Sequence, residues 1–292
     1  MSSVDIPRKA LVGLIGAGIQ RSLTPAMHEQ EAQCQGLRLH YQLIDLDRAG
    51  VGAEALPTLI EAARIMGFDG LNITYPCKQA VIPLLDELSD EARTMGAVNT
   101  VVCRGGRLVG HNTDGSGWVE AFRRRLPDAD LSRVLLLGAG GAGAAIAHAA
   151  LRMGVQHLVV NDREPQRAES LVQALQQAHG AGRASAQAEV AAAIQGATGL
   201  IHATPTGMDK LPGLPLPEDL LHPGLWVADV VYFPLDTALL KAARARGCAT
   251  VDGGGMAVGQ ALGAFRLFTG LEPDAQRVDA HFRHLLAQRA DA

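Results

Sequence analysis

The feature that most constrains the fold is a glycine-rich segment near the middle of the chain. Residues 134–137 are apolar, residues 138–143 read Gly-Ala-Gly-Gly-Ala-Gly, and an alanine-rich stretch follows to residue 152. A strand, a G-x-G-x-x-G turn and a helix in this order are typical of dinucleotide-binding domains. The missing side chains allow a tight turn, a close approach to the pyrophosphate and close helix packing. The sequence therefore predicts a phosphate-binding turn, with a tight turn that holds no ligand as the alternative.

An acidic residue follows at the end of the next predicted strand. Asp162 lies about 20 residues after the glycines, the spacing at which a carboxylate accepts hydrogen bonds from the adenosine ribose. A carboxylate there repels a 2′-phosphate, so the sequence predicts NAD as the preferred cofactor. Arg163 could instead reach that phosphate, which keeps NADP as the alternative, and Asp162 could simply cap a loop.

Strand-like and helix-like patterns alternate on both sides of the glycine-rich segment. Short apolar runs read as strands at 10–16, 39–46, 69–74, 98–103, 134–137, 157–162, 199–204 and 225–232. Helical stretches separate these runs, and such alternation favours parallel sheets with helices on their faces. The predicted fold class is therefore α/β.

The length of the chain favours more than one domain, since 292 residues exceed the usual size of one. Thr113 and Asp114 can begin a helix that carries the chain between domains, and a last helical stretch runs from residue 256 to about 286. We predict an N-terminal α/β substrate-binding domain over residues 1–112 and a Rossmann dinucleotide-binding domain over residues 113–253. Residues 254–292 are predicted to pack back on the first domain.

Composition argues against several classes of partner. The formal charge is −4 and only 4% of residues are aromatic, which provides neither an extended basic surface nor stacking platforms for a nucleic acid. The four cysteines and ten histidines show no zinc-site spacing, and no segment resembles a membrane span or a secretion signal. The sequence therefore predicts a cytoplasmic protein that binds no metal, membrane or nucleic acid and acts on a small molecule as a monomer or homodimer.

Several further segments carry no general-purpose motif but resemble, in order, the signatures of the shikimate/quinate dehydrogenase family. They are RSLTPAMHE (21–29), GLNITYPCKQAV (70–81), GAVNTVV (96–102), GHNTDGSGW (110–118), ATPTGM (203–208), DVVYFPLDTALLKAARARGC (229–248) and DGGGMAVGQA (252–261). The resemblance covers nearly the whole chain. It implies an NAD(P)-dependent oxidoreductase that transfers a hydride between the nicotinamide and C3 of shikimate/3-dehydroshikimate, with quinate/3-dehydroquinate as a further substrate pair.

The resemblance assigns catalysis to Lys78 and Asp114. Oxidation of a secondary alcohol needs a base that removes the hydroxyl proton as the hydride leaves, and a lysine can serve as that base. Asp114 would hold the reacting hydroxyl and orient the lysine. Taken alone, Lys78 also fits an exposed lysine at a helix start, and Asp114 also fits a helix N-cap.

The substrate-binding residues are implied in the same way. Ser22 and Thr24 would bind the carboxylate, although Thr24 followed by a proline also fits a helix cap. Neutral amides and hydroxyls suit a polyol because each ring hydroxyl needs a partner when it leaves water, while Asn and Thr are also common in turns. The residues assigned to the ring hydroxyls and to the nicotinamide side of the substrate are Asn72, Thr74, Asn99, Gln260 and Tyr232.

The implied cofactor residues comprise the glycine turn, the acidic and basic pair after the next strand, and three later segments. They are Gly138, Ala139, Gly140, Gly141, Ala142, Gly143, Asp162, Arg163, Thr204, Gly207, Met208, Val230 and Gly253. Met208 and Tyr232 also fit plain core packing.

Two departures bear on which member of the family the chain resembles. Thr24 and Asp162 resemble the NAD-using quinate/shikimate dehydrogenases, whereas Leu23 and the glycines at 253–255 depart from the quinate-active group. The sequence therefore predicts shikimate as the better substrate. The alternatives are an NAD dehydrogenase that prefers quinate, a non-catalytic dinucleotide-binding regulator, and an amino- or methylene-group dehydrogenase. Lys78 and Asp114 argue against a regulator, and the amides argue against the last alternative.

Overall fold

The computed structural model describes residues 9–290, so residues 1–8 and 291–292 of the predicted first domain lie outside the described residues. The chain divides into two compact units, one formed by Met1–Thr113 with Gln260–Ala292 and the other by Asp114–Gly259. Each unit contains one six-stranded sheet with helices. The predicted α/β fold class is confirmed.

The first unit is built around a mixed sheet. Its elements up to the end of the sheet are β1 (Lys9–Gly16), α1 (Thr24–Cys34), β2 (Arg38–Asp45), α2 (Leu46–Ala49), α3 (Leu56–Met66), β3 (Gly70–Ile73), α4 (Cys77–Ala80), β4 (Glu87–Leu88), α5 (Asp90–Met95), β5 (Thr100–Arg104) and β6 (Arg107–His111). The strand order is β2-β1-β3-β5-β6-β4. The strand β1 is parallel to β2 and β3, and β5 is antiparallel to β3 and β6.

Local sequence signals explain some of these elements and not others. All four residues of β3 are buried, including the polar Asn72, and the strand lies between β1 and β5. The helix α5 begins after Ser89, whose hydroxyl accepts a hydrogen bond from the Ala92 amide, the usual role of an N-cap serine. The strands β4 and β6 are absent from the sequence-based prediction, because one has only two residues and the other begins with an arginine and ends with a histidine.

The second unit has an all-parallel sheet. Its elements are α6 (Asp114–Arg125), β7 (Arg133–Leu137), α7 (Gly141–Met153), β8 (His157–Asn161), α8 (Pro165–His179), β9 (Ala184–Ala186), α9 (Val190–Ala193), β10 (Gly199–His202), β11 (Trp226–Asp229), α10 (Ala238–Ala245) and β12 (Ala249–Val251). The strand order is β12-β11-β10-β7-β8-β9, and every pairing is parallel. This is the doubly wound order of Rossmann domains, with its reversal between β7 and β10.

Two helices end the chain, α11 (Gly254–Thr269) and α12 (Ala275–Ala290). The helix α12 packs on α1, where Arg277 pairs with the buried Glu31 at 2.7 Å.

The sequence-based boundary placed all of residues 254–292 with the first domain, but the first turns of α11 group with the second unit. A Cβ on Gly255 would lie 2.6 Å from the Ala121 Cβ, and one on Gly259 would lie 2.6 Å from the Gly117 Cα. The backbones of α6 and α11 are therefore in close contact there.

Three further properties concern residues 9–290. None of their helices has the length and apolar character needed to cross a bilayer. No group of three His, Cys, Asp or Glu side chains among them is placed to hold a metal ion. All four cysteines are free thiols.

Candidate active site

The glycine turn follows β7 at the point where the strand order reverses. Gly138 has a φ of +101°, which favours glycine, and a Cβ there would lie 2.7 Å from the Ala203 carbonyl oxygen. A Cβ on Gly143 would overlap the Gly138 carbonyl oxygen, whereas one on Gly140 or Gly141 would meet no described heavy atom within 4 Å. The first and third glycines of the motif therefore serve the turn and the packing, and the second leaves open space beside the backbone.

The amino end of α7 faces this open space. Gly140 is the N-cap residue and has no side-chain cap, so the first amides of the helix are available to an anion. Asp162 follows β8, and its carboxylate accepts hydrogen bonds from the Ala139 amide at 2.7 Å and the Glu164 amide at 2.9 Å. Asp162 thus holds the glycine turn and caps its own loop, while Arg163 beside it is exposed.

The other residues predicted to bind the cofactor follow the carboxyl ends of the neighbouring strands. A Cβ on Gly138 would lie 3.0 Å from the Thr204 Cγ2, and one on Gly253 would lie 2.5 Å from the Val230 carbonyl oxygen. Gly207 and Met208 lie farther along the loop after β10, and Tyr232 follows β11. Met208 is 42% exposed and Tyr232 is 44% exposed, which does not fit a role in core packing. Thr204 therefore lies against the glycine turn, and Gly253 lies against Val230 after β11.

In the first unit, a buried network joins several of the predicted substrate-binding residues. The Tyr41 hydroxyl donates to Asn72 Oδ1 at 2.7 Å, and burial raises the pKa of Tyr41, so the phenol stays protonated. The amide nitrogen of Asn72 donates to the Thr100 hydroxyl at 3.1 Å and to the Asn99 carbonyl oxygen at 3.2 Å. Each polar atom of the Asn72 amide therefore has a partner inside the unit.

The same network orients Asn99. Its Oδ1 accepts from the Thr113 amide at 2.8 Å, and its Nδ2 donates to the Thr113 hydroxyl at 2.9 Å. That hydroxyl in turn donates to the Gln260 carbonyl oxygen at 3.1 Å. The sequence predicts Asn72, Asn99 and Gln260 as substrate-binding residues but not Tyr41, since nothing local marks a tyrosine in β2 as a partner of an asparagine in β3.

The loop before α1 carries the two residues predicted to bind a carboxylate. Thr24 is the first residue of α1, and the N-cap residue is Leu23, which has no side-chain cap. The Ser22 hydroxyl accepts from the Thr24 amide at 3.3 Å. The N-cap position suggested by the sequence alone for Thr24 is therefore wrong, because the helix begins one residue earlier than that reading requires.

Asp45, at the end of β2, anchors the start of this loop. Its carboxylate accepts from the Gly18 amide at 3.0 Å, the Ile19 amide at 3.2 Å and Gln20 Nε2 at 3.0 Å. Burial raises the pKa of Asp45, but the hydrogen bonds from Gln20 and the backbone outweigh it, so the pKa lies below its ordinary value. An ionised carboxylate thus shapes the loop.

The two predicted catalytic residues lie in different units. Lys78 is half-buried in α4, one turn after the half-buried Thr74, and its carbonyl oxygen accepts from the Val98 amide at 2.8 Å. This bond holds the segment that leads into Asn99 beside α4. Asp114 is 5% exposed and is the first residue of α6, so it lies inside the helix rather than at its N-cap.

The chain resembles known proteins over nearly its whole length. It matches the family profiles for the shikimate dehydrogenase substrate binding domain over residues 14–101 and for shikimate / quinate 5-dehydrogenase over residues 120–206. A shikimate dehydrogenase (NADP(+)) of Streptomyces avermitilis is 60% identical, with 96% of this chain and 97% of that protein covered. A quinate/shikimate dehydrogenase (NAD(+)) of Corynebacterium efficiens is 49% identical, with 94% and 98% covered.

A solved structure also matches nearly the whole chain. The quinate dehydrogenase from Corynebacterium glutamicum in complex with NAD superposes with a TM-score of 0.90 at 46% identity, covering 95% of this chain and 100% of that one. Its fold extends across both units of the present chain. The chain therefore belongs to the shikimate/quinate dehydrogenase family of NAD(P)-dependent oxidoreductases, as its sequence predicts.

Proposed function

We propose that the protein transfers a hydride between a nicotinamide dinucleotide and C3 of shikimate or 3-dehydroshikimate. The observation that carries this proposal is the glycine turn at the reversal of strand order. Its outer glycines are required by the backbone around them, whereas a Cβ on Gly140 or Gly141 would meet no described heavy atom within 4 Å. Open space of this kind at a helix amino terminus fits a pyrophosphate. The substrate class comes from the named relatives.

Lys78 and Asp114 are the proposed catalytic residues. In the oxidation direction, Lys78 Nζ accepts the proton of the C3 hydroxyl while the C3–H bond breaks and its electron pair leaves as hydride. The dinucleotide, when bound, supplies the hydride acceptor. Asp114 accepts a hydrogen bond that orients the hydroxyl and the lysine, and in the reverse direction Lys78 returns its proton to the new alkoxide.

The first unit supplies the proposed substrate contacts. Ser22 and Thr24 donate to the carboxylate from the loop that Asp45 anchors. Asn99, Thr74 and the Gln260 side chain contact ring hydroxyls, with Tyr232 from the second unit beside the nicotinamide. Since the amide of Asn72 is engaged by Tyr41, Thr100 and Asn99, we infer that Asn72 contributes by holding Asn99 rather than by direct contact.

The proposed cofactor preference is NAD over NADP. Named relatives use either cofactor, so the family alone does not decide it. The Asp162 carboxylate lies beside the glycine turn, 2.7 Å from the Ala139 amide, where a negative charge repels a 2′-phosphate. We further propose that the enzyme is cytoplasmic and works as a monomer or homodimer. Light scattering after size-exclusion chromatography would test the oligomeric state.

The proposal is tested by initial rates for shikimate and quinate, each with NAD and NADP. We expect shikimate with NAD to have the highest kcat/KM, because quinate carries a further hydroxyl whose unpaired burial costs about 1–3 kcal/mol. Quinate is the second candidate substrate, since the 46% identical neighbour is a quinate dehydrogenase. A kcat/KM for quinate at or above that for shikimate would reverse the substrate order. No turnover in any combination would favour a dinucleotide-binding regulator.

A further inference from the structure

A buried chain of polar side chains lies under the loop that follows β10. His202 Nδ1 is 2.9 Å from Asp229 Oδ1, and His202 Nε2 is 2.6 Å from the Thr204 hydroxyl. The Thr237 hydroxyl donates to the other Asp229 oxygen at 2.7 Å. The side chains of His202 and Asp229 are both fully buried, so water does not compete for the bond between them.

The partners assign the protons of this chain. A carboxylate only accepts hydrogen bonds, so Nδ1 of His202 carries the proton that is shared with Asp229. The other ring nitrogen, Nε2, is bonded to the Thr204 hydroxyl. The Thr204 hydroxyl is therefore held between the His202 ring and the Thr206 amide of the loop.

Through these hydrogen bonds, the buried Asp229 carboxylate holds two loops. The Thr204 oxygen accepts from the Thr206 amide at 3.3 Å, which closes the first turn of the loop after β10. Asp229 Oδ1 also accepts from the Val231 amide at 3.0 Å, which holds the loop after β11. These loops carry Met208 and Val230, which are proposed to contact the cofactor, and Thr204 itself lies against the glycine turn.

We propose that Asp229, His202 and Thr204 form a positioning network that holds the dinucleotide-binding loops in their binding conformation before the cofactor arrives. His202 and Asp229 act through Thr204 and Val231 and touch neither substrate nor cofactor. A loop that is already ordered loses less conformational entropy on binding, so the network strengthens dinucleotide affinity without adding a contact. The inference rests on the proposed function.

Three substitutions separate the two hydrogen bonds of His202. Thr204→Val keeps the shape of the side chain and removes the hydroxyl. His202→Asn keeps a donor for Asp229 but is too short to accept from Thr204, whereas His202→Gln places an acceptor near the position of Nε2. The matched control is His157→Asn, since His157 begins β8, and its ring contacts Gly182 and Ser185 at the opposite edge of the sheet.

The experiment titrates each purified protein with NADH and with NADPH by fluorescence and measures KM for shikimate and for the dinucleotide. Thr204→Val and His202→Asn should each raise the dinucleotide Kd and KM roughly 3- to 10-fold, the effect of one net hydrogen bond. The KM for shikimate should stay within about twofold. The dinucleotide affinity of the Thr204→Val/His202→Asn double variant should fall no further than that of Thr204→Val alone. His202→Gln should recover part of the affinity, and His157→Asn should bind as the unmodified protein does.

Several results would overturn the inference. They are an unchanged dinucleotide Kd in Thr204→Val, losses that multiply in the double variant, or an equal rise in the KM for shikimate. If His202→Asn does not fold, the Kd of His202→Gln decides together with that of Thr204→Val. Unmodified protein that binds neither dinucleotide refutes the proposed function and the inference together. Unmodified protein that turns over while both variants bind equally well refutes only the inference.

Discussion

Substitution of the second glycine of the turn should change stability and cofactor affinity in opposite directions. Gly140 has a φ of −75° and a ψ of −173°, a conformation that alanine adopts without strain. Its added methyl group would meet no described heavy atom within 4 Å. In Gly140→Ala, the free protein should therefore gain about 0.4–1 kcal/mol, because the unfolded chain has fewer conformations to lose.

The same methyl group occupies the space proposed for the pyrophosphate. Overpacking of one methyl group in a close-packed contact costs about 1–3 kcal/mol, which corresponds to a roughly 5- to 150-fold weaker dinucleotide complex. Gly143→Ala is the contrasting variant, because its Cβ would overlap the Gly138 carbonyl oxygen and lie 2.9 Å from the Gly138 carbonyl carbon. That overlap involves backbone, so Gly143→Ala should destabilise the free protein as well.

The assay compares thermal unfolding of the free proteins with NADH and NADPH titrations of the same samples. Gly140→Ala should unfold at or above the temperature of the unmodified protein and bind either dinucleotide more weakly. Gly143→Ala should unfold at a lower temperature. If Gly140→Ala bound both dinucleotides normally, the pyrophosphate would not lie against this backbone, and the assignment of the turn would be wrong.

Three other predictions concern the base, the cofactor and a buried histidine. Lys78→Ala should lower kcat by about 10²–10⁴-fold with little change in the KM for shikimate; near-normal kcat with weaker affinity would make Lys78 a binding residue. Asp162→Asn keeps an oxygen for the Ala139 amide and removes the charge. It should lower the ratio of kcat/KM for NAD to that for NADP at least about fivefold, the effect of a ~1 kcal/mol repulsion, and an unchanged ratio would show that the charge does not set the preference. Burial lowers the pKa of His28 to about 3, and neither ring nitrogen has a hydrogen-bond partner among residues 9–290. The unfolded chain takes up this proton near pH 6.5 and the folded chain does not, so His28 should cost about 2 kcal/mol of stability between pH 7 and pH 5. Urea unfolding at both pH values should show that loss in the unmodified protein and a smaller one in His28→Leu; equal losses would mean that His28 is protonated in the folded state.

Features that depend on local backbone geometry could be read from the sequence. The glycine segment predicted a strand, a turn and a helix, and the structure has β7, the turn and α7 in those places. The steric demands at Gly138 and Gly143 come from atoms of the turn and from the neighbouring loop, so the spacing of glycines already encodes them. The same holds for the buried strands, whose apolar runs are long enough to stand out from their surroundings.

Other features depended on partners that are distant in the sequence. Tyr41 in β2 meets Asn72 in β3 across the intervening strand β1. His202 and Asp229 meet at the ends of β10 and β11, and no spacing rule links either pair. The domain boundary in α11 also differs from the predicted one at residue 254, because Gly255 and Gly259 allow that helix to approach α6 closely. Sequence alone determined the α/β class, the glycine turn between β7 and α7 and the residue types available for chemistry. Only the tertiary structure decided which polar side chain satisfies which, because buried donors and acceptors are paired by the packing of whole elements rather than by their neighbours in the chain.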